Sequence, residues 1–310
     1  MGYTDLDYYI EARLVLKLDA MIKRCTQTTP KMDVAMIMEG NEGEGKTNGA
    51  LCCAYYVRYK TGRDIHLFFR LRALIEYAKK TESKVIIWDE PSLDSLSTDS
   101  LNKINKDLIR LLMTARKKRH FIIFNFTKFF KFSEYIVVDR CVALIHMYMK
   151  RQQEIGHYVY IRKRNLEALY NGYKFGKKRM YKTLKNFYGS FPEVMEVEGG
   201  SWFKHMDVTV HGANKTITSA SLEDYNREKD YAIESIGEEE EKSDKPTLEL
   251  KAFKYKISQL KPPILNKEIL AKQLGTDART MRTWAYTSQT GSKELESLEK
   301  GVFEGEEETI

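Results

Sequence analysis

The eight residues Gly40-Asn41-Glu42-Gly43-Glu44-Gly45-Lys46-Thr47 constrain this chain more than any other segment. They satisfy the spacing GxxxxGK[ST] at every fixed position. Gly40, Gly43 and Gly45 let the backbone wrap closely enough to aim its N–H groups at phosphate oxygens. The flanks supply the context such a loop needs. Asp33–Met38 is a short apolar run that reads as a strand. Lys46–Tyr59 reads as a helix whose first turn adds unsatisfied N–H groups and a positive dipole end. Lys46 can then reach the β- and γ-phosphates as a point charge, and the Thr47 hydroxyl can coordinate Mg2+. Glu42 and Glu44 are unusual beside a tetra-anion, so both carboxylates are expected to point outward.

A second segment completes a site. In Val85-Ile86-Ile87-Trp88-Asp89-Glu90, four apolar residues too short for a helix end in two acids. This places Asp89 at the carboxyl edge of a sheet, beside the loop, where it can hold the shell of a magnesium ion. Glu90 can polarise the water that attacks the γ-phosphorus. Two adjacent acids can also be ordinary strand-end polarity; with the loop upstream they point to ATP and Mg2+ as the cofactors.

The remaining periodicity frames these motifs. Residues 6–24 repeat apolar positions at three- and four-residue intervals, as a helix does. Ile65–Phe69 reads as a strand, Leu71–Lys80 as a helix and Ser100–Lys118 as a long amphipathic helix. Phe121–Phe126 and Val142–Met149 read as strands. Strands alternating with helices imply a mainly parallel sheet covered on both faces. His157–Lys163 and Gly172–Tyr188 are expected to add a hairpin and a basic helix, taking the first domain to residues 1–190. Residues 191–233 read as an irregular connecting region.

An Asp followed at once by Glu, with a strand–helix pair between the two motifs, resembles the additional-strand, catalytic-glutamate division of P-loop ATPases. That division includes AAA+ and RecA-like proteins, FtsK/HerA-type DNA pumps and viral DNA-packaging ATPases. The resemblance is one of motifs and covers about residues 33–150. It implies an α/β P-loop NTPase fold with the phosphate-loop strand central. It also implies a polar sensor on the strand after the long helix, for which Asn125 is the best match and Thr127 the second. In this family arginines near that strand act across subunit interfaces, which makes Arg116, Arg119 and Arg140 candidate arginine fingers. DNA pumps carry Gln or a Thr-Pro pair after the corresponding segment, and this sequence does not.

Charge is segregated. Arg116 to Lys185 holds 18 Lys and Arg against 4 Asp and Glu, while the whole chain carries only +7. The remainder is therefore net acidic, much of it in Glu238–Glu241 and Glu304–Glu308. A basic block interleaved with Phe129, Phe130, Tyr148, Tyr158, Tyr160, Tyr173 and Tyr181 suits a nucleic-acid partner or a neighbouring subunit. The acidic run reads as a linker over 234–247. A small helix-turn-helix-like module over 248–290 follows it, with Arg279, Thr280, Arg282 and Thr283 outward, or else a protein-docking bundle. Residues 291–310 read as an acidic disordered tail.

Four cysteines without metal-ligand spacing, no apolar run of membrane length and no leader-like N-terminus give a cytoplasmic, disulfide-free chain with no membrane partner. Together these features lead to an ATPase that self-associates into a ring or other oligomer and acts on DNA, as a translocase or packaging motor of viral or mobile-element type. The alternative is an ATP-switched DNA-binding adaptor in replication, transposition or regulation.

Overall fold

In a computed structural model, the residues described are 10–89, 98–150, 154–176, 180–191, 196–197, 200–201, 206–212 and 215–234. Glu90 lies outside them. So does the second of the two compact units into which the chain divides, Ser235–Ile310. The helix-turn-helix-like module, the tail and the acidic linker apart from its first residue, Glu234, belong to that unit.

Helix α1 (Ala12–Thr26) turns Leu14, Val15, Leu18, Met21, Ile22 and Cys25 inward. Strand β1 (Val34–Glu39) is buried along its whole length and leads into the glycine loop and α2 (Lys46–Thr61). Next come β2 (Ile65–Phe68), α3 (Leu71–Lys80), β3 (Val85–Asp89), α4 (Thr98–Thr114) and a tight turn at Ala115–Lys118. Strand β4 (Phe121–Phe126), a π-helical turn at Tyr135–Arg140 and β5 (Cys141–Tyr148) complete the central layer. The strands are continuous apolar runs because helices cover both sheet faces, leaving no wet side to favour alternation. One core sets α1 and α2 against the sheet. The other sets α3, α4 and α5 (Lys163–Lys174) against the opposite face. Trp88 anchors the second core, edge-on to Phe124, Phe126 and Phe132. Truncating such a residue typically costs about 3–5 kcal/mol.

The five central strands run parallel in the order β2-β3-β4-β1-β5, so the phosphate-loop strand is internal. Register then fixes the site: Asp89 at the end of β3 pairs with Asn125 on β4, and Asn125 pairs with Met38 on β1. The polar ends of three strands thus emerge together at one sheet edge, where ligands of open α/β sheets bind.

Two expected segments differ. Gly172–Tyr188 is not one basic helix. Helix α5 ends at Lys174, Gly176 follows with a φ of 76°, and the chain then forms the short α6 (Met180–Leu184) and β7 (Phe187–Ser190). Strand β7 pairs antiparallel with β6 (His157–Arg162), which pairs with β5. Residues 191–233 are not irregular either. They contain a small hairpin, β8 (Glu196–Val197) with β9 (Gly200–Ser201), and then β10 (Val208–His211) and β11 (Thr216–Ile217). Strand β10 adds to β2 in parallel and widens the sheet to nine strands, and a helix, α7, spans 222–234. The four cysteines are free and buried. Among the described residues no helix is long and apolar enough to cross a membrane.

Candidate nucleotide site

The loop after β1 takes its shape from left-handed turns at Gly43 and Gly45, with φ of 78° and 89°. Gly45 caps α2, so the chain reverses into the helix with its first N–H groups facing the loop's concavity. Glu42 is exposed, as expected. Glu44 is not: it is buried and folds back along the loop. Its carboxylate accepts the Asn41 backbone N–H at 2.6 Å and the Asn41 side-chain amide at 2.9 Å. The outward Glu44 of the sequence reading is therefore corrected to an internal strap, which neutralises a backbone donor at the start of the loop. Lys46 Nζ donates to the Asn41 carbonyl at 2.7 Å. Burial holds the Lys46 pKa below its ordinary value, with Asp89 opposing that shift. An anionic ligand would favour the charged form in the same way.

Across the loop, Thr47 Oγ1 donates to Asp89 Oδ2 at 3.0 Å, and Asn125 Nδ2 donates to Asp89 Oδ1 at 3.2 Å. Asp89 and Asn125 are 3% and 1% exposed, so their polar atoms depend on one another. Lys46, Thr47, Asp89 and Thr127 line a cavity of about 420 Å³. Two buried oxygens, that of Thr127 in the lining and Asn125 Oδ1 behind Asp89, have no hydrogen-bond partner. Buried polar atoms are rarely left so, and these two stand beside the group best suited to a cation. Mg2+ is ordinarily held through one or two protein groups plus the substrate's phosphates. Thr47 and Asp89 supply that kind of donor set, so the residues fit magnesium and a nucleotide.

Two further residues enter the cavity that the motifs did not indicate. Tyr225, on α7, donates its hydroxyl to Asp89 Oδ2 at 2.5 Å and lies 3.3 Å from Thr47 Oγ1. Lys229, one turn on, donates to the Tyr225 hydroxyl at 3.0 Å and stands 3.8 Å from Asp89. Burial first, and the Asp89 carboxylate second, push the Tyr225 pKa well above its usual value, so it remains a neutral donor. Both fall in the span that reads from sequence as an irregular connection, so nothing in it pointed to them.

The three arginines lie elsewhere. They precede β4 and β5, at the amino edge of the parallel strands, opposite the glycine loop. Arg140 donates to both carboxylate oxygens of Asp33 (2.9 and 2.8 Å) and to the Leu112 carbonyl (2.8 Å). Arg119 adopts a left-handed φ of 58° and its carbonyl accepts Arg63. Arg116 is exposed.

No family model and no curated protein matches the sequence. Among solved structures, the chain is similar over 49% of its length to the FIGL-1 AAA domain in complex with ADP. That match has 18% identity and a TM-score of 0.34 and takes in 56% of that chain, just over half of it. Over 41% of its length it is similar to the DnaC helicase loader, with 21% identity and a TM-score of 0.26, covering 76% of that chain.

Proposed function

We propose that this chain is a Mg2+-dependent ATPase that acts on nucleic acid as an oligomer. The observation that carries the reading is the convergence of Thr47, Asp89 and Asn125 beside Lys46, with an unpartnered oxygen on Thr127 in the cavity lining and another on Asn125 next to Asp89. Lys46 and the first N–H groups of α2 bind and orient phosphate oxygens. Thr47 and Asp89 hold the cation, which when bound neutralises charge on the leaving phosphates. Asn125, fixed through Asp89, is the sensor of the attacking water, and Glu90, which follows Asp89 directly in sequence, is the base that polarises it. Arg116 is the exposed member of the arginine trio and so the one most free to serve a neighbouring subunit. DNA is the partner that the basic, aromatic-rich span from Arg116 to Lys185 suits best.

The test separates binding from chemistry. Lys46→Ala is expected to weaken binding of a fluorescent ATP analogue by at least about tenfold. Glu90→Gln is expected to bind it normally and release no phosphate. Normal turnover in Glu90→Gln would remove that residue from its role, and no Mg2+-dependent phosphate release by the intact chain would end the ATPase reading.

A second reading, a nucleotide-switched adaptor, is favoured by Tyr225 and Lys229, which occupy the metal's protein ligands. Tight ATP-dependent assembly on DNA with slow turnover would select it. Turnover strongly stimulated by DNA, with movement along it, would select a motor.

A further inference from the structure

A larger cleft lies on the sheet face opposite α2. Its cavity of about 920 Å³ is formed by the carboxyl end of β5 (His146, Tyr148) and Lys150 just after it, α6 (Tyr181, Lys182) and β7 (Tyr188). Among the described residues no Asp or Glu lines it. The nucleotide reading uses none of these groups.

The walls are flat rings held in place. His146 stacks on Tyr181 with centroids 3.7 Å apart and planes within 6°. Tyr148 is within 19° of parallel to His146 at 6.5 Å, and Tyr188 stands edge-on to Tyr148. Behind the stack, Glu39 is 5% exposed. One of its oxygens pairs with His146 Nδ1 at 2.5 Å and accepts the Tyr181 hydroxyl at 3.0 Å. Apolar residues could fill such a space with equal or greater stability. A buried acid that fixes two ring orientations therefore suits positioning more than stabilisation. The rim is basic: Lys150 and Lys182 line it, and Lys185 Nζ lies 4.9 Å over the Tyr188 ring. Glu154 offsets part of this, at 3.9 Å from Lys150 and 3.1 Å from His157.

Parallel aromatic faces with lysines around them, and no carboxylate among the described lining residues, match a planar heterocycle joined to phosphate. Duplex bases are stacked on one another and offer no free face. Unpaired bases do, and their stacking on protein rings is tolerant of sequence. We propose that this cleft binds unpaired nucleobases of single-stranded nucleic acid, stacked on Tyr148 and the His146–Tyr181 pair, with Lys150 and Lys182 toward the phosphates. The proposal rests on the nucleic-acid part of the reading above and not on hydrolysis.

Two backbone links tie the cleft to the nucleotide loop. Glu39 directly precedes Gly40, and the N–H of Gly156, next to His157, donates to the Glu44 carbonyl at 3.3 Å. The two sites are therefore neighbours through the sheet and separable by mutation.

The experiment uses the full chain and the fluorescence anisotropy of labelled oligothymidylate, with a duplex of equal length and free AMP as competitors. Tyr148→Ala is expected to weaken oligothymidylate binding about tenfold, and Tyr148→Phe to retain it, because only the aromatic face is used. Lys182→Ala is expected to lower the salt dependence of log K by about 0.7–1. Affinity for a fluorescent ATP analogue is expected to stay unchanged in all three variants, which also shows that they fold. Equal binding by Tyr148→Ala, or displacement by duplex as effective as by single strand, overturns the cleft while leaving a nucleic-acid partner standing. Displacement by AMP as effective as by the oligonucleotide, and lost in Tyr148→Ala, overturns the strand in favour of a free nucleotide. No binding of either nucleic acid by the unaltered chain overturns both readings.

Discussion

A tyrosine hydroxyl 2.5 Å from the carboxylate proposed to hold a cation would set up a competition at single-atom scale. Tyr225 donates to Asp89 Oδ2, the same oxygen that accepts Thr47, and Lys229 adds a positive charge 3.8 Å away. A cation held by Thr47 and Asp89 must displace that hydroxyl or share the carboxylate with it. Phenylalanine at 225 would keep the ring, which packs against Phe69, and release the oxygen. Tyr225→Phe is therefore expected to lower the Mg2+ concentration for half-maximal nucleotide binding about threefold to tenfold. This range is about 0.7–1.4 kcal/mol, the net worth of one typical hydrogen bond. A Mg2+ titration followed with a fluorescent nucleotide measures it; a raised requirement would show that the hydroxyl assists the cation instead. Sequence could not reveal this contact because 136 residues separate its partners. Thr47, Asp89 and Asn125 were legible because each sits at a fixed place on its own strand or helix, and parallel register does the rest. Glu44 was misjudged for a related reason. Charge alone turns an acid away from phosphate, but the Asn41 N–H three residues back offered a closer partner.

At the scale of elements, the segment that carries α7 is attached to the sheet through β10, and that attachment has an acid-sensitive seam. His66 on β2 and His211 on β10 share a hydrogen bond at 3.1 Å, and His66 also meets the Tyr77 hydroxyl at 2.7 Å. Burial, then the neighbouring His211 and Lys84, hold His66 down to about 4, with Asp64 opposing; burial alone holds His211 down to about 4. The unfolded chain takes up these protons near 6.5. Between those values the unfolded state binds more protons than the folded one. The seam's contribution is thus full above about pH 6.5 and is lost as pH falls through about 4. The expected loss is about 3 kcal/mol in all, since the rings share one environment and protonating either one breaks the contact. Hydrogen exchange in β10 and α7 at about pH 7 and about pH 5 tests this. Unchanged protection at the lower pH would count against it. The existence of β10 and α7 was hidden because β10 is only four residues long, and its strand character comes from the edge of β2 rather than from any periodicity of its own. The long helices and the fully buried β1, β3 and β4 were legible because their apolar pattern is set by covering on both faces.

Across the whole molecule, the two edges of the sheet carry different work. The carboxyl edge gathers Lys46, Thr47, Asp89 and Tyr225 around a cavity, with Asn125 bonded to Asp89. The amino edge gathers Arg63, Arg119, His120, Asp33 and Arg140 into polar ties between helix ends and strand starts. His120 shows the pattern: Nδ1 accepts the Lys84 N–H, Nε2 lies 3.0 Å from the Ala78 carbonyl, and burial lowers its pKa, leaving a neutral splice. Asp33 and Arg140 are 3% and 13% exposed at the side chain, so removing one partner leaves a charge without compensation. Arg140→Met is therefore expected to destabilise the chain by about 3–5 kcal/mol in a denaturant titration. The affinity of the folded protein for a fluorescent ATP analogue should be unchanged, because the pair lies at the far edge from the loop. Lys46→Ala should do the reverse, weakening affinity at least about tenfold with little change in stability. An Arg140→Met protein that melted like the parent but lost turnover would return Arg140 to the chemistry, acting from one subunit on the next. With the stability loss and intact affinity, the amino edge is the part that holds the sheet together while ligand exchange goes on at the other.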